Sequence, residues 1–176
     1  LRPSDGSLTT LNTAVGTKIG YNYDALKRLR SRAVYQGSTP LFENRYAYAT
    51  QSGNQSTALV EFFNYRLASD DGSGDIIVGY QYEYDKGGNI TDIKAEVDGA
   101  LIPLEHYEYD EKQGQLKEAI RYENGVEADR WTYSYDTAGN ILSEDHEGSN
   151  SELHEYAYED GRWGDLLTSV DGIDLE

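Results

Sequence analysis

"YQYEYDKGGNI", residues 80–90, sets Tyr80, Tyr82 and Tyr84 at every second position and then runs into Asp85, Gly87 and Gly88. Side chains alternate across a strand, so the three rings fall on one face and Gln81, Glu83 and Asp85 on the other. Tyrosine is a favoured strand residue. Turn chemistry follows. Asp85 can accept a hydrogen bond from a backbone N–H two residues on, and Gly88 takes a positive φ without steric cost. The stretch predicts a strand, a type I turn closed by a left-handed residue, and a second strand in "NITDIKAEV", residues 89–97. "YDTAGNILSE", residues 135–144, repeats the design with Gly139 in the place of Gly88.

Outward from these two copies the pattern recurs along the chain. The second aromatic of each "Y-x-Y" pair is Tyr23, Tyr48, Tyr84, Tyr109, Tyr135 and Tyr158, at gaps of 25, 36, 25, 26 and 23 residues. The long gap holds "ASDDGSGD", residues 68–75, read as a polar loop inserted over 66–76. The units lie near 21–29, 46–57, 80–93, 107–119, 131–144 and 154–169, in one array covering 1–176. Some are imperfect. "YDALKRL" has Lys27 where the glycine belongs, and a left-handed lysine costs about 1 kcal/mol. "YDEKQGQL" carries one more residue before Gly114, "YATQSGN" lacks its aspartate and "YEDGRW" is shortened. Leu26 and Leu29, three apart, are the nearest thing to a helical pattern, over residues 24–32. A helix there would part the Tyr21/Tyr23 strand from its partner. Strands at steady intervals with turn signals therefore predict an all-β fold of tandem antiparallel hairpins in a single curved sheet.

"YDALKRL", "YDKGGNI" and "YDTAGNI" resemble the tyrosine-aspartate repeat, Y-D-x-x-G-[RN]-[LI], of Rhs proteins, also found in bacterial wall-associated proteins, toxin-complex C components and teneurins. The motif residues here are Tyr23, Asp24, Tyr84, Asp85, Gly88, Asn89, Tyr109, Asp110, Tyr135, Asp136, Gly139 and Asn140. "WGDLLTSVDG", residues 163–172, is similar to a segment that follows the repeats in Rhs proteins. The resemblance implies a β-ribbon spiralling into a hollow shell that encloses a C-terminal effector, in a large secreted or cell-surface bacterial toxin. The implied partners are adjacent repeats and the enclosed effector. The proline- and glycine-rich motif that closes such shells is missing, and six units are too few to close one. The expectation is a patch of wall.

A one-layer sheet has no dry core, which explains 16 Tyr against 3 Phe. The tyrosine ring covers its neighbours and the hydroxyl is left for water. Tyr82, Tyr107 and Tyr133 are expected to form a ladder across units, each cross-strand pair contributing about 0.2–1 kcal/mol.

Composition narrows the function. Acids outnumber bases 32 to 15, for a formal charge of −17. Such a chain repels phosphate backbones, so nucleic acid is not an expected partner, nor are anionic membranes or sulfated glycans. There is no cysteine, hence no disulfide frame, thiol nucleophile or thiolate metal site. No run approaches the roughly 20 apolar residues of a membrane span. "LRPSDGSLTTLNTAVG" has no apolar leader core, and the closing Leu175-Glu176 reads as a remnant of cloning.

Searches for chemistry find little. His106, His146 and His154 fit no H-E-x-x-H spacing, and neither a G-x-S-x-G elbow nor a phosphate-binding G-x-x-x-x-G-K-[ST] occurs. Glu83/Asp85 and Glu108/Asp110 read as solvated strand faces, not as the converging acid pair of a glycosidase. Asp71, Ser73 and Asp75 have the alternate spacing of a calcium loop, but Ile76 and Tyr82 stand where its glycine and glutamate belong. No catalytic, metal or cofactor site is expected. The alternative to a structural wall is a carbohydrate-binding or adhesion module for neutral glycans, with Trp131 and Trp163 as stacking platforms. Trp131 is expected in register with the first tyrosine of a unit, which favours packing. Open edge strands predict edge-to-edge self-association.

Overall fold

The computed structural model describes residues 7–13, 16–51, 55–67 and 74–175. Among them are fourteen strands and no helix. The strands are β1 (Thr10–Asn12), β2 (Thr17–Tyr23), β3 (Leu29–Gln36), β4 (Thr39–Gln51) and β5 (Gln55–Leu67). Next come β6 (Ile76–Tyr84), β7 (Ile90–Val97), β8 (Ala100–Tyr109), β9 (Leu116–Glu123) and β10 (Val126–Tyr135). The chain ends with β11 (Ile141–Glu147), β12 (Glu152–Ala157), β13 (Ser169–Val170) and β14 (Ile173–Asp174). The fold is all-β, one antiparallel sheet whose strand order follows the chain. It comprises two compact units: the described residues up to Glu83 with Lys94–Leu101, and Tyr84–Ile93 with the described residues from Ile102 onward. Residues 24–32, the nearest helical pattern in the sequence, are a turn running into β3. The inserted stretch lies between β5 and β6, where the Leu67 N–H donates to the Asp75 carbonyl at 2.9 Å. Residues 68–73, and with them Asp71 and Ser73 of the calcium-like spacing, fall outside the described residues.

Two kinds of turn alternate. The tyrosine-aspartate turns close as the sequence predicts. Lys27 N–H donates to Asp24 C=O at 3.0 Å, Gly88 to Asp85 at 3.2 Å and Gly139 to Asp136 at 3.2 Å. The donor residue is left-handed each time: φ is 66° at Lys27, 89° at Gly88 and 98° at Gly139. The extra residue in the Asp110 turn is absorbed by a wider closure, Gly114 N–H to Asp110 C=O at 2.9 Å. Between these lie two-residue turns that the sequence reading missed: Asp98-Gly99, Asn124-Gly125 and Asp171-Gly172, with both residues of each at positive φ. That is the type I′ geometry whose twist suits a hairpin. Each repeat therefore holds two strands and two turns of different chemistry.

The register carries a second regularity. Just past the Asp24, Asp110 and Asp136 turns, and at the matching place in β5, the ladder slips by one residue. The extra residues are Arg30, Glu61, Lys117 and Leu142, all exposed. These are β-bulges, which interrupt the ladder and sharpen its twist.

Two strands on, homologous tyrosines do not face one another. Tyr21 pairs through Arg32 with Asn44, two residues short of its counterpart Tyr46. Tyr46 pairs through Phe63 with Tyr80, two short of Tyr82. Tyr107 reaches Trp131 through Ala119, two short of Tyr133, and Tyr133 reaches His154 through Glu144, two short of Tyr156. The Tyr107–Tyr133 part of the expected ladder is therefore diagonal. Trp131 does stand in register with the first tyrosine of a unit. The offset also explains the third tyrosine of "YQYEY": Tyr80 fills the row of the preceding repeat.

Burial is thin everywhere. Among the described residues no large side chain is fully buried, and the buried apolar ones are Ala33 and Ile120. Rings supply the contacts instead, Phe42 on Tyr65 at 5.3 Å and Tyr46 on Phe63 at 5.2 Å. Lys27→Gly should raise the urea unfolding midpoint by an amount equal to about 1 kcal/mol. Gly139→Ala should lower stability by about 1–2 kcal/mol, because its Cβ would also meet Gln115 Nε2 at 3.1 Å.

Candidate functional site

Each tyrosine-aspartate turn is held by its carboxylate. Asp24 Oδ1 accepts the N–H groups of Leu26 and Arg28, both at 2.9 Å. Asp110 Oδ1 accepts those of Lys112 and Gln113, and Asp136 Oδ1 those of Ala138 and Asn140, all at 2.8–2.9 Å. Asp85 Oδ1 accepts from Asn89 N–H at 2.9 Å. The other oxygen takes the side chain at the [RN] position: Arg28 Nε at 2.7 Å, Asn89 Nδ2 at 2.9 Å and Asn140 Nδ2 at 2.8 Å. Arginine and asparagine share this position because both present an N–H there. Hydrogen bonds from the Asn side chain hold the carboxyls of Asp85 and Asp136 below the usual value, and the Gln113 and Lys112 amides do so for Asp110. Desolvation works against ionisation of Asp24, but the Arg28 bonds outweigh it and its pKa is also lowered.

Two of these side chains also reach later parts of the chain. Arg28 lies over the Tyr48 ring, 4.2 Å from its centroid, and donates to the Thr57 carbonyl. Asn140 Nδ2 donates to the Gly164 carbonyl at 2.9 Å, tying in the "WGDLL" segment.

The tyrosine hydroxyls correct an expectation. They are not simply left to water. Tyr48 Oη donates to the Leu29 carbonyl and Tyr135 Oη to the Leu116 carbonyl, both at 2.8 Å and both nineteen residues back. Leu29 and Leu116 directly precede the bulged Arg30 and Lys117, where the ladder is interrupted. Tyr23 Oη likewise donates to the Leu8 carbonyl at 3.0 Å, and Tyr107 Oη to Glu105. Burial pushes up the pKa of Tyr48, Tyr107, Tyr109, Tyr133 and Tyr135.

In the second unit Trp131 stacks on His146, with centroids 4.6 Å apart and planes 3° apart. One face of its indole is thus covered from within. His146 Nε2 lies 3.0 Å from Asp129 Oδ1, and Arg121 pairs with the other oxygen of this buried carboxylate. His106 pairs with Asp92 at 3.0 Å and His154 with Asp171 at 2.9 Å. The Asp171 bond raises the pKa of His154. Glu108 lies 4.0 Å from His106 Nε2 on an open surface. Trp163 is 66% exposed, with its backbone N–H donating to Asp160 Oδ1 at 2.8 Å. Among the described residues, no three metal-ligating groups converge.

The first unit carries a feature the sequence did not announce. Asn22, Ser31, Arg45, Asn64 and Gly79 stand opposite one another in a single row across β2 to β6. This is the face opposite the Tyr46–Phe63–Tyr80 row. The polar residues line a groove of about 680 Å³, together with Glu43 and Phe62. Asn22 Nδ2 donates to Ser31 Oγ at 3.0 Å, and Arg45 pairs with Glu43. Asn64 is only 5% exposed, and its Oδ1 has no hydrogen-bond donor. Glu96 Oε2 is also buried without a donor and lies over Gly79, where a Cβ would come within 2.9 Å of it. A buried acceptor in that state costs about 1–3 kcal/mol.

No family model matches this chain. No curated protein sequence matches it either. Solved structures do resemble it in fold. A chain of the TcdB2-TccC3-Cdc42 crystal structure aligns with 89% of the sequence at 18% identity and a TM-score of 0.51. A chain of TcdB2-TccC3-TEV aligns with 94% at 18% identity, and one of the Photorhabdus luminescens Tc holotoxin pore with 94% at 17%, each with a TM-score of 0.51. This chain spans about a tenth of each. The likeness is one of fold, to chains of toxin complexes.

Tyr48→Phe and Tyr135→Phe should each lower the unfolding free energy by about 1 kcal/mol, because the ring stays and one hydrogen bond is lost. Acid should loosen the turns. A carboxyl with a lowered folded pKa stabilises above its unfolded value, near 3.9, and that contribution disappears as the pH falls through the folded value. The urea midpoint at pH 3 should lie below that at pH 6. Asp110→Asn, which keeps an acceptor but cannot titrate, should flatten the difference.

Proposed function

We propose that this chain is a non-catalytic stretch of wall from a tyrosine-aspartate repeat shell of the Rhs type. The parent is a large bacterial toxin, secreted or displayed at the cell surface, whose shell encloses and helps deliver a C-terminal effector. The observation that carries this reading is the two-residue offset between repeats, found four times in the register. Two residues over two strands is one residue of shear per strand. In an eight-stranded barrel that ratio tilts the strands by about 36°. A ribbon built with a constant shear winds about an axis as repeats are added.

Two further facts support it. The fold resembles chains of toxin complexes about ten times longer than this one. The carboxylates with lowered pKa values are committed to turns and ion pairs that hold the array together. The partners of this wall are the repeats before and after it and the effector it helps surround.

Electron microscopy of the intact parent tests the proposal. A hollow particle is expected, with these repeats in its wall and effector density inside. A filled globule, or repeats extended as a solid stalk, would overturn it.

A further inference from the structure

We propose that the groove across β2 to β5 binds a short extended segment of a partner protein, one that carries a pair of acidic side chains. This goes beyond the wall role and does not depend on it.

The overall charge of −17 conceals a polarity along the chain. Residues 1–67 hold eight Lys or Arg against four Asp or Glu, a net +4. Residues 68–176 hold seven against twenty-eight, a net −21. Charge asymmetry between the halves of a chain is a mark of an interaction surface. The groove opens within the cationic span, since every residue that lines it lies between Asn22 and Asn64.

Its two ends ask for different groups. Arg30 and Arg45 line it from neighbouring strands, Arg30 exposed at its bulge and Arg45 on β4. Glu43 engages Nε of Arg45, and the rest of that guanidinium's N–H fork remains a donor for a carboxylate. Toward β6 the character reverses. Asn64 is almost wholly buried, and its Oδ1 has no donor. Gly79, next in the row, presents no side chain, and Glu96 lies over it with an oxygen also short of a donor. Those acceptors call for N–H groups and repel a carboxylate. A peptide backbone supplies N–H groups at every residue, and its side chains carry the acids, so one extended segment meets both ends.

The dimensions agree. Strands lie about 4.8 Å apart, so the row from Asn22 on β2 to Gly79 on β6 spans about 19 Å. An extended peptide rises about 3.3 Å per residue, so about six residues cover that row. Acids two positions apart then project on one side, about 6.6 Å from each other, within reach of Arg30 and Arg45. Long polyanions are poorer occupants. A nucleic acid or an anionic membrane extends past the groove by more than a Debye length of about 8 Å, and it meets the −21 of the remaining chain.

The test titrates the hexapeptide Glu-Ser-Glu-Ser-Gly-Ser, capped at both ends, and its reversed sequence into the full chain, followed by amide chemical shifts. Saturable binding of one of the two at sub-millimolar peptide is expected, with shifts at Ser31, Arg45 and Asn64. Replacing both glutamates by glutamine should weaken it about tenfold, and about 0.5 M NaCl should weaken the acidic peptide several-fold. Arg30→Gln, at an exposed side chain, should weaken binding about fivefold, while Arg162→Gln in the second unit should leave it unchanged. Asn64→Ala should weaken it several-fold without lowering the unfolding temperature, since the orphan acceptor is removed. If that variant does not fold, Arg30→Gln set against Arg162→Gln decides alone. The proposal is overturned by no saturable binding of either peptide at millimolar concentration, by equal binding of the glutamine peptide, or by equal losses in Arg30→Gln and Arg162→Gln. It is overturned as well if a folded Asn64→Ala binds as the parent chain does, or if an RNA oligonucleotide or phosphatidylserine vesicles bind more tightly than the peptide.

Discussion

A sheet one layer thick must hold its strands without an interior, and most of this molecule's chemistry answers that constraint. Large apolar side chains gain little where neither face is sealed. Ile120, the largest of the buried apolar residues, is flanked along its strand by exposed or half-buried neighbours. The contacts that remain are local: a ring over its cross-strand partner, a carboxylate in its turn, a hydroxyl on a carbonyl. Stability in such an array is a sum of neighbour terms, so each repeat must grip the next.

Tyrosine makes that grip because its two ends do different work. The ring of Tyr48 lies under Arg28, while its hydroxyl bonds the carbonyl beside the bulge of the preceding repeat. Phenylalanine would keep the first contact and leave that carbonyl short of a donor. The bulge and the tyrosine are thus one device. At Arg30 and Lys117 the next repeat's hydroxyl bonds the carbonyl that precedes the bulged residue. Where an aspartate is missing, as after Tyr48, the hydroxyl link to the preceding repeat persists, which is why "YATQSGN" can sit in the array without the full motif.

Much of this was legible in the amino-acid sequence, for physical reasons. Period-two tyrosines gave strands and faces because strand alternation is rigid. Asp85, Gly88 and Gly139 gave the turns because few residues tolerate those angles. Asp98-Gly99, Asn124-Gly125 and Asp171-Gly172 carry equally plain turn chemistry, but they lie outside the tyrosine period that marks the repeats. The offset of two residues was not readable. It depends on how each repeat length compares with the pairing sums of two successive hairpins, and those sums follow from bulges at Arg30, Glu61, Lys117 and Leu142 that no residue type announces. The polar groove was hidden for the same reason. Asn22, Ser31, Arg45, Asn64 and Gly79 come from five strands and meet only once the register is known.

The two faces of the first unit also differ in what they leave unsatisfied. On the tyrosine side even the buried Asn44 has its partner, Arg32 Nη2 at 2.9 Å. On the other side, Asn64 and Glu96 bury oxygens that no donor reaches. An array held together only by neighbour terms has little stability to spare, and an apolar side chain at position 64 would remove one of these costs.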